Sequence, residues 1–159
     1  MENGSKHEQA LLAFRSLCDC LDTHQWKYTK DEDELTIRCS ARGDDLPMEL
    51  NIGVDEERQV IVLLSPQPFS APKEKIKDMA IAVSVVNNSL IDGCFCLDVC
   101  DGQLFFRMTC SFRDSILGDA LFTYLIFRSF QTIDEYNDKF MLLSMGLISL
   151  DQFIRIVSK

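Results

Sequence analysis

The stretch 87–112, NNSLIDGCFCLDVCDGQLFFRMTCSF, decides the fold, because it combines the signals for a helix end, a turn and a hairpin. Asp101-Gly102 lies between two runs of alternating apolar residues. Asp-Gly in a two-residue loop favours a type I′ turn, which requires positive φ. The stretch therefore predicts a tight antiparallel hairpin with Gly102 at its turn.

Pairing outward from this turn sets Cys100 opposite Gln103 and Phe95 opposite Met108, and facing residues share one side of a sheet. One side is apolar and is predicted to face the core: Phe95, Leu97, Val99, Leu104, Phe106 and Met108. The other side is mixed, with several thiols: Cys94, Cys96, Asp98, Cys100, Phe105, Arg107 and Thr109.

Length and composition predict one globular domain over residues 1–159, since 47% of the residues are hydrophobic and 26% are charged. No window approaches the roughly 20 apolar residues of a membrane span, and the start MENGSKHEQ lacks a signal-peptide pattern. We therefore expect a cytoplasmic protein with no membrane partner.

Charge limits the classes of partner, and cysteine content indicates the redox compartment. A net charge of −9 without a stripe of Lys and Arg disfavours nucleic acid. The seven cysteines are an odd number, which fits reduced thiols in a reducing compartment better than a secreted disulfide framework.

The first two helices are predicted from their end signals. Ser5 and Glu8 have capping-box spacing and open a helix over 6–24. A second helix is predicted to begin with Ser70 as its cap and Pro72 in its first turn. Asp92-Gly93 would end it. This second helix is apolar on nearly all sides over 80–86, which is more than one sheet can cover.

Two further helices follow the hairpin. Ser115 is a predicted cap for a long helix over 116–144, and Gly146 would end it. Ser149 and Gln152 repeat the capping-box spacing and predict a short helix over 150–157.

A first hairpin and an apolar strand complete the predicted sheet. The run after the acidic turn at 30–33 predicts a first hairpin with Thr36, Arg38 and Ser40 facing outward. Residues 60–64, VIVLL, are apolar throughout, so this strand is predicted to be central or covered on both faces. Either Ile61 and Leu63 or Val60 and Val62 would face the helices, depending on a bulge in the preceding loop.

The order helix, antiparallel strands, helix, hairpin, long helix resembles the YbjN domain family of bacteria. The resemblance covers nearly the whole chain and is carried by Asn87-Asn88, Gly93-x-Phe95-x-Leu97-Asp98, Asp101-Gly102, Arg107 and Asp134-x-Tyr136. It implies an α+β fold like that of type III secretion chaperones, with an antiparallel sheet, an N-terminal helix, a central helix and a long C-terminal helix.

The resemblance also implies a class of function. Members of the family are described as candidate regulators of sensory transduction, and the similar secretion chaperones are small acidic dimers that hold partner segments in extended form. Neither role brings catalytic residues to this chain. The thiol-rich hairpin is a departure from the family pattern.

No catalytic, cofactor-binding or metal-binding residues are predicted. The two histidines, His7 and His24, lack a G-x-S-x-G or HExxH partner motif, and His24 is placed to complement a helix C-terminus. Cys18 and Cys20 cannot share a helix face and are predicted to be packing residues. We therefore expect a protein that is not an enzyme.

One alternative uses the hairpin thiols as a metal or redox sensor. Cys94, Cys96 and Cys100 would share one strand face, but side chains two apart on a strand lie about 7 Å from each other, too far for tetrahedral zinc ligation without bending. The preferred interpretation is a non-enzymatic protein-interaction or regulatory module. It would form a homodimer and bind a partner protein through sheet edges or apolar helix surface.

Overall fold

The structure is a computed structural model that describes residues 3–158, with side chains from residue 6 onward. The capping box predicted at Ser5 and Glu8 depends on the Ser5 side chain and so lies outside the described residues. The helices are α1 (Asn3–Thr23), α2 (Ile76–Ser89), α3 (Asp119–Ser144) and α4 (Leu150–Val157). The strands are β1 (Tyr28–Asp31), β2 (Thr36–Arg42), β3 (Pro47–Asp55), β4 (Val60–Ser70), β5 (Cys94–Leu97) and β6 (Gln103–Ser111).

The six strands form one antiparallel sheet in the order β1-β2-β3-β4-β6-β5. Alternate residues of β2, β3, β4 and β6 are buried on the side against which α1 and α3 pack, which we call the inner face. Its core residues include Ile37, Cys39, Leu50, Ile52, Ile61, Leu63, Leu104 and Phe106. This architecture confirms the predicted α+β fold class.

The outward positions of the first hairpin are as predicted, because Thr36, Arg38 and Ser40 are exposed. On β4 the structure decides between the two alternatives: Ile61 and Leu63 are almost completely buried on the inner face. The strand is central, with β3 on one side and β6 on the other.

An aromatic cluster joins the hairpin to the C-terminal helices. The Phe95 ring lies 5.2 Å from that of Phe106 and 5.0 Å from that of Phe140. Phe140 in turn lies 5.1 Å from Phe153 on α4, and Tyr136 lies 6.0 Å from Phe95. All five side chains are buried, so this cluster fixes β5, β6, α3 and α4 relative to one another.

The second hairpin forms, but its predicted register and turn type are wrong. Phe95 pairs with Phe106 rather than Met108, which lengthens the loop by two residues. The Asp98 carboxylate accepts the Cys100 N–H and the Asp101 carboxylate accepts the Gln103 N–H, each at 2.8 Å, and these bonds stabilise the wider turn. Gly102 has the predicted positive φ of 78°, whereas Asp101 does not share it, as a type I′ turn would require.

The register difference leaves the predicted faces of the hairpin almost unchanged. A shift of two residues preserves which side chains point to which side, since side chains alternate with period two. Phe95, Leu104, Phe106 and Met108 are therefore buried as predicted. Leu97 is only partly buried against the core, and Val99 lies in the longer loop and is 62% exposed.

The C-terminal end of α3 and the start of α4 are as predicted. Beyond α3, Gly146 has a φ of 73°, and the Leu147 N–H donates to the Leu142 carbonyl in a Schellman motif. Before α4, Ser149 and Gln152 form both hydrogen bonds of a capping box.

The predicted caps at Ser70 and Ser115 are wrong. Ser70 is the last residue of β4 and pairs with Gln103, and Pro72 then leads into a short 3-10 turn before α2. Ser115 lies in a turn in which its N–H donates to the Phe112 carbonyl, so α3 starts later, after an extended Gly118. Strand pairing and loop geometry determine these helix starts more strongly than the hydroxyl side chains do.

Candidate protein-interaction surfaces

The side of the sheet opposite the core, which we call the outer face, has an apolar centre. In the pairing of β4 with β6, Val62 lies opposite Thr109, Leu64 opposite Arg107 and Pro66 opposite Phe105. The centre consists of Val62, Leu64, Pro66 and Phe105. None of these four is buried, and Leu64 is 37% exposed. The continuous apolar run of β4 therefore buries one set of side chains and presents the other to solvent.

Polar groups flank this centre on the side of β2 and β3. The Arg38 guanidinium donates to the Asn51 side-chain oxygen at 3.0 Å, and Asn51 donates to Glu49 at 3.1 Å. A shallow groove of about 540 Å³ runs over β1 to β4, and Val62 and Leu64 are among its lining residues. An apolar floor with a polar rim is the usual anatomy of a protein-binding patch.

The sheet edge at β5 is protected by a side chain. The Asn87 amide nitrogen donates to the Phe95 carbonyl at 2.9 Å, and the Asn87 oxygen accepts the Phe95 N–H at 2.8 Å. These are the two groups through which a further strand would pair at this residue. Proteins commonly block such edges, because unpaired edge groups recruit other chains.

The opposite edge, β1, pairs with β2 alone among residues 3–158. It is only four residues long and carries charge, with the Lys30 ammonium 2.6 Å from the Glu32 carboxylate. Short and charged edges resist self-association yet still offer backbone groups to a matched partner. Of the two edges, β1 is therefore the better acceptor for an added strand.

Helix α2 buries only one side. Met79, Ala82 and Val86 are buried, while Ala80 is exposed and Ile81 is 48% exposed. The sequence expectation that this apolar segment exceeds what the sheet can cover agrees with these exposures. The exposed side is rich in small or apolar residues: Ala80, Ile81, Ser84 and Val85.

The hairpin thiols lie on and beside the outer face. The sulfur atoms of Cys94 and Cys96 are 3.7 Å apart, so the separation of about 7 Å expected from strand geometry is wrong. Cys100 is exposed in the turn. Burial, and then a hydrogen bond with Cys94, raise the pKa of the Cys96 thiol, which is the opposite of what an activated thiolate needs.

The two histidines lie in separate exposed pairs. His7 Nδ1 lies 2.8 Å from a Glu56 oxygen, and His24 Nε2 lies 3.2 Å from an Asp119 oxygen. Cys18 and Cys20 are both buried, as packing residues would be. Within residues 3–158, no helix combines the length and apolar character needed to cross a membrane.

Taken together, the fold and these surfaces define an α+β module with a covered inner face, an accessible apolar outer face and one protected edge. Two solved structures are similar to this fold. YbjN from E. coli, described as a candidate transcription regulator, has a TM-score of 0.59 at 14% identity over 76% of this chain and 85% of that chain.

The second similar structure is the HopA1–SchA chaperone–effector complex. It has a TM-score of 0.55 at 12% identity over 81% of this chain and 95% of that chain. No protein-family profile and no curated protein matches the sequence. The likeness confirms the predicted YbjN-like and type III secretion chaperone-like fold, and it gives no support to a thiol sensor in the hairpin.

Sequence reasoning missed two features of these surfaces. The accessible outer side of β4 was not predicted, because an apolar run does not reveal which of its faces lacks a covering layer. Asn87 was interpreted as a helix-end residue, whereas its amide also pairs with the edge strand. Its position eight residues before Phe95, across a helix-to-strand turn, is the only sequence signal for that contact.

Proposed function

We propose that this protein is a non-enzymatic interaction or regulatory module that holds an extended segment of another protein against the outer face. The proposal rests on the apolar centre of that face, which stays accessible to solvent within the described chain. It consists of Val62, Leu64, Pro66 and Phe105. Patches of this kind mark interaction sites in soluble proteins. At the far edge of the same sheet, beyond β2 and β3, β1 offers backbone hydrogen bonds to an extended segment.

One of the two similar structures, together with the charge, supports a protein partner rather than a nucleic acid. One of the similar structures is a chaperone with its effector. The net charge of −9 repels polyanions, so a regulatory role would act through another protein. We propose a reducing compartment such as the cytoplasm, which the odd number of cysteines and the absence of a disulfide among them support.

Replacing Leu64 by aspartate is the test of this surface. We expect the amount of co-purified partner to fall about tenfold. The substitution removes an apolar anchor and buries a charge against the partner. The measurement is quantitative mass spectrometry of chains crosslinked to tagged protein in native cells. The matched control is Leu12→Asp, at a 49% exposed leucine on α1 away from the outer face.

Equal capture by the Leu64 variant and the wild type would contradict a client site on the outer face. So would an equal loss in both variants while circular dichroism shows both folded. Recovery of no chain other than the protein itself, across growth conditions, would leave self-association as the use of this surface.

We also propose that the protein is a homodimer formed through the exposed side of α2. This side has Ala80 and Ile81 at its centre, and its small residues allow a second helix to approach closely. A symmetric pair would cover the apolar surface that one sheet leaves free.

Light scattering of the wild type at tens of micromolar is expected to give twice the chain mass of 18.2 kDa. Ile81→Asp should shift the protein to monomer, because the aspartates of two copies would repel each other at the two-fold contact. Ile116→Asp, at an 82% exposed position before α3, should stay dimeric. A wild type that remains monomeric would overturn the dimer.

A further inference from the structure

The junction between the end of α1 and the start of α3 gathers four side chains around one point. Cys20 and His24 lie four residues apart, in a turn that continues past α1 because the His24 N–H donates to the Cys20 carbonyl at 3.1 Å. Asp119 and Thr123 lie four residues apart in the first turns of α3. Residues at this spacing project from the same side of a helix. Each helix therefore presents one pair to the other.

The potential ligand atoms of three of these residues lie close together. The Cys20 sulfur, a His24 ring nitrogen and an Asp119 carboxylate oxygen are all within 4.8 Å of one another. His24 Nε2 lies 3.2 Å from Asp119 Oδ2. Among the described residues, this is the one group of three or more such side chains close enough to share an ion.

We propose that Cys20, His24 and Asp119 form a binding site for a divalent transition-metal ion, best matched by Zn²⁺. Zn²⁺ takes thiolate, imidazole and carboxylate ligands at about 2.0–2.3 Å, so neighbouring ligand atoms of a tetrahedral site lie about 3.4 Å apart. The observed distance of 3.2 Å between the nitrogen and the oxygen fits that spacing.

The chemistry of the donors selects the class of ion. A thiolate with an imidazole suits Zn²⁺ and Co²⁺, whereas Ca²⁺ and Mg²⁺ require oxygen ligands in larger number. Thr123 Oγ1 lies 3.2 Å from His24 Nε2 and 3.6 Å from the Cys20 sulfur. Its hydroxyl is placed to hydrogen-bond a water molecule in the fourth position.

The hydrogen bonds within this group are shared or weak. One ring nitrogen of His24 faces two oxygens, from Asp119 and Thr123, so a single N–H would be divided between them. The Cys20 thiol is buried, and its contacts with Thr123 and with the Asp119 carbonyl, at 3.6 Å and 3.8 Å, are the weak hydrogen bonds of a thiol. A shared ion would serve all of these donors at once.

Such an ion would give Cys20 and His24 roles that the sequence does not predict. Cys20 and His24 were expected to be a packing residue and a helix-end residue, with no metal site in the chain. Bound metal would instead crosslink α1 to α3 and stabilise their contact, since a ligand that binds only the folded state adds to its stability.

Cobalt titration of the reduced, chelator-treated protein tests the site. We expect one Co²⁺ per chain, with the near-ultraviolet charge-transfer band of a cobalt thiolate and the visible bands of tetrahedral cobalt, all removed by Zn²⁺. His24→Ala and Cys20→Ser should weaken binding by more than about tenfold, since loss even of an outer-shell partner of a ligand typically costs about 10–100-fold. Because His24 is partly exposed, its variant should fold even where the buried Cys20 variant does not.

Two matched controls come from the same helix. Cys18→Ser removes a buried thiol two residues away, and His7→Ala removes a histidine that pairs with Glu56 but has no place in the three-residue group. Both should keep the cobalt bands. The proposal is overturned if no thiolate band forms, if the bands survive in both Cys20→Ser and His24→Ala, or if they vanish only when Cys94 and Cys96 are replaced.

Discussion

Gly102→Val is expected to lower the free energy of unfolding by about 3 kcal/mol, combining backbone strain with overpacking. Gly102 has a φ of 78°, a region that β-branched residues avoid. A Cβ atom at this position would lie 2.0 Å from the Ala71 carbonyl oxygen. The Ala71 N–H also donates to the Gly102 carbonyl at 2.8 Å, so neither backbone can move away without losing that bond.

Urea unfolding at a fixed protein concentration measures this effect. Gly53→Ala is the matched control, because the nearest atom to its added Cβ is a Thr36 methyl group at 3.9 Å, an ordinary contact. We expect the control to change stability by less than about 0.5 kcal/mol. Equal stability of the valine variant and the wild type would refute the close contact between the hairpin turn and the segment before α2.

Phe140→Ala should destabilise the protein by about 4 kcal/mol, the typical cost of emptying a phenylalanine site in a core. The Phe140 side chain is completely buried and lies between Phe95 of β5 and Phe153 of α4. Its removal leaves a cavity that three elements line. For a chain of this size the melting temperature should fall by roughly 10 °C.

Phe127→Ala on the same helix is the control for this prediction. Phe127 is 47% exposed and contacts the Trp26 ring at 5.6 Å, so its loss should cost roughly 1 kcal/mol. A Phe140 variant as stable as the Phe127 variant would contradict the packing of Phe140 between Phe95 and Phe153.

The faces of the second hairpin could be predicted from sequence, while its register could not. Alternation of apolar residues determines which side chains face the core, and this survives a shift of two residues. The register depends on the loop, where the carboxylates of Asp98 and Asp101 accept backbone N–H groups and favour the wider turn. Asp-Gly is compatible with both turns, so the dipeptide alone does not choose between them.

Helix ends were predictable where the signal is local to the helix. Gly146 and the Ser149–Gln152 pair act on the turn that contains them. Ser70 and Ser115 carry the same type of hydroxyl, but tertiary pairing of β4 and a loop before Gly118 determine where those helices begin. A cap signal therefore predicts a helix start only where no competing partner holds the backbone.

The proposed metal site has little signature in the sequence. Cys20 and His24 have the spacing of one helical turn, but Asp119 lies almost a hundred residues later. Only the packing of α1 against α3 brings the carboxylate to the thiol and the imidazole. Thiols on the hairpin, by contrast, were conspicuous in the sequence because they are close together along the chain.

The Asn87 contact makes the two edges of the sheet unequal, since it blocks β5 but not β1. Fibre growth by strand addition requires each copy to accept a strand at one edge and offer the opposite edge to the next copy. The Asn87 amide already occupies the Phe95 N–H and carbonyl at the β5 edge, so a copy that pairs through β1 has no equivalent second edge to offer. Edge-to-edge association through β1 would therefore end after one addition, and a strand bound there would not seed a polymer.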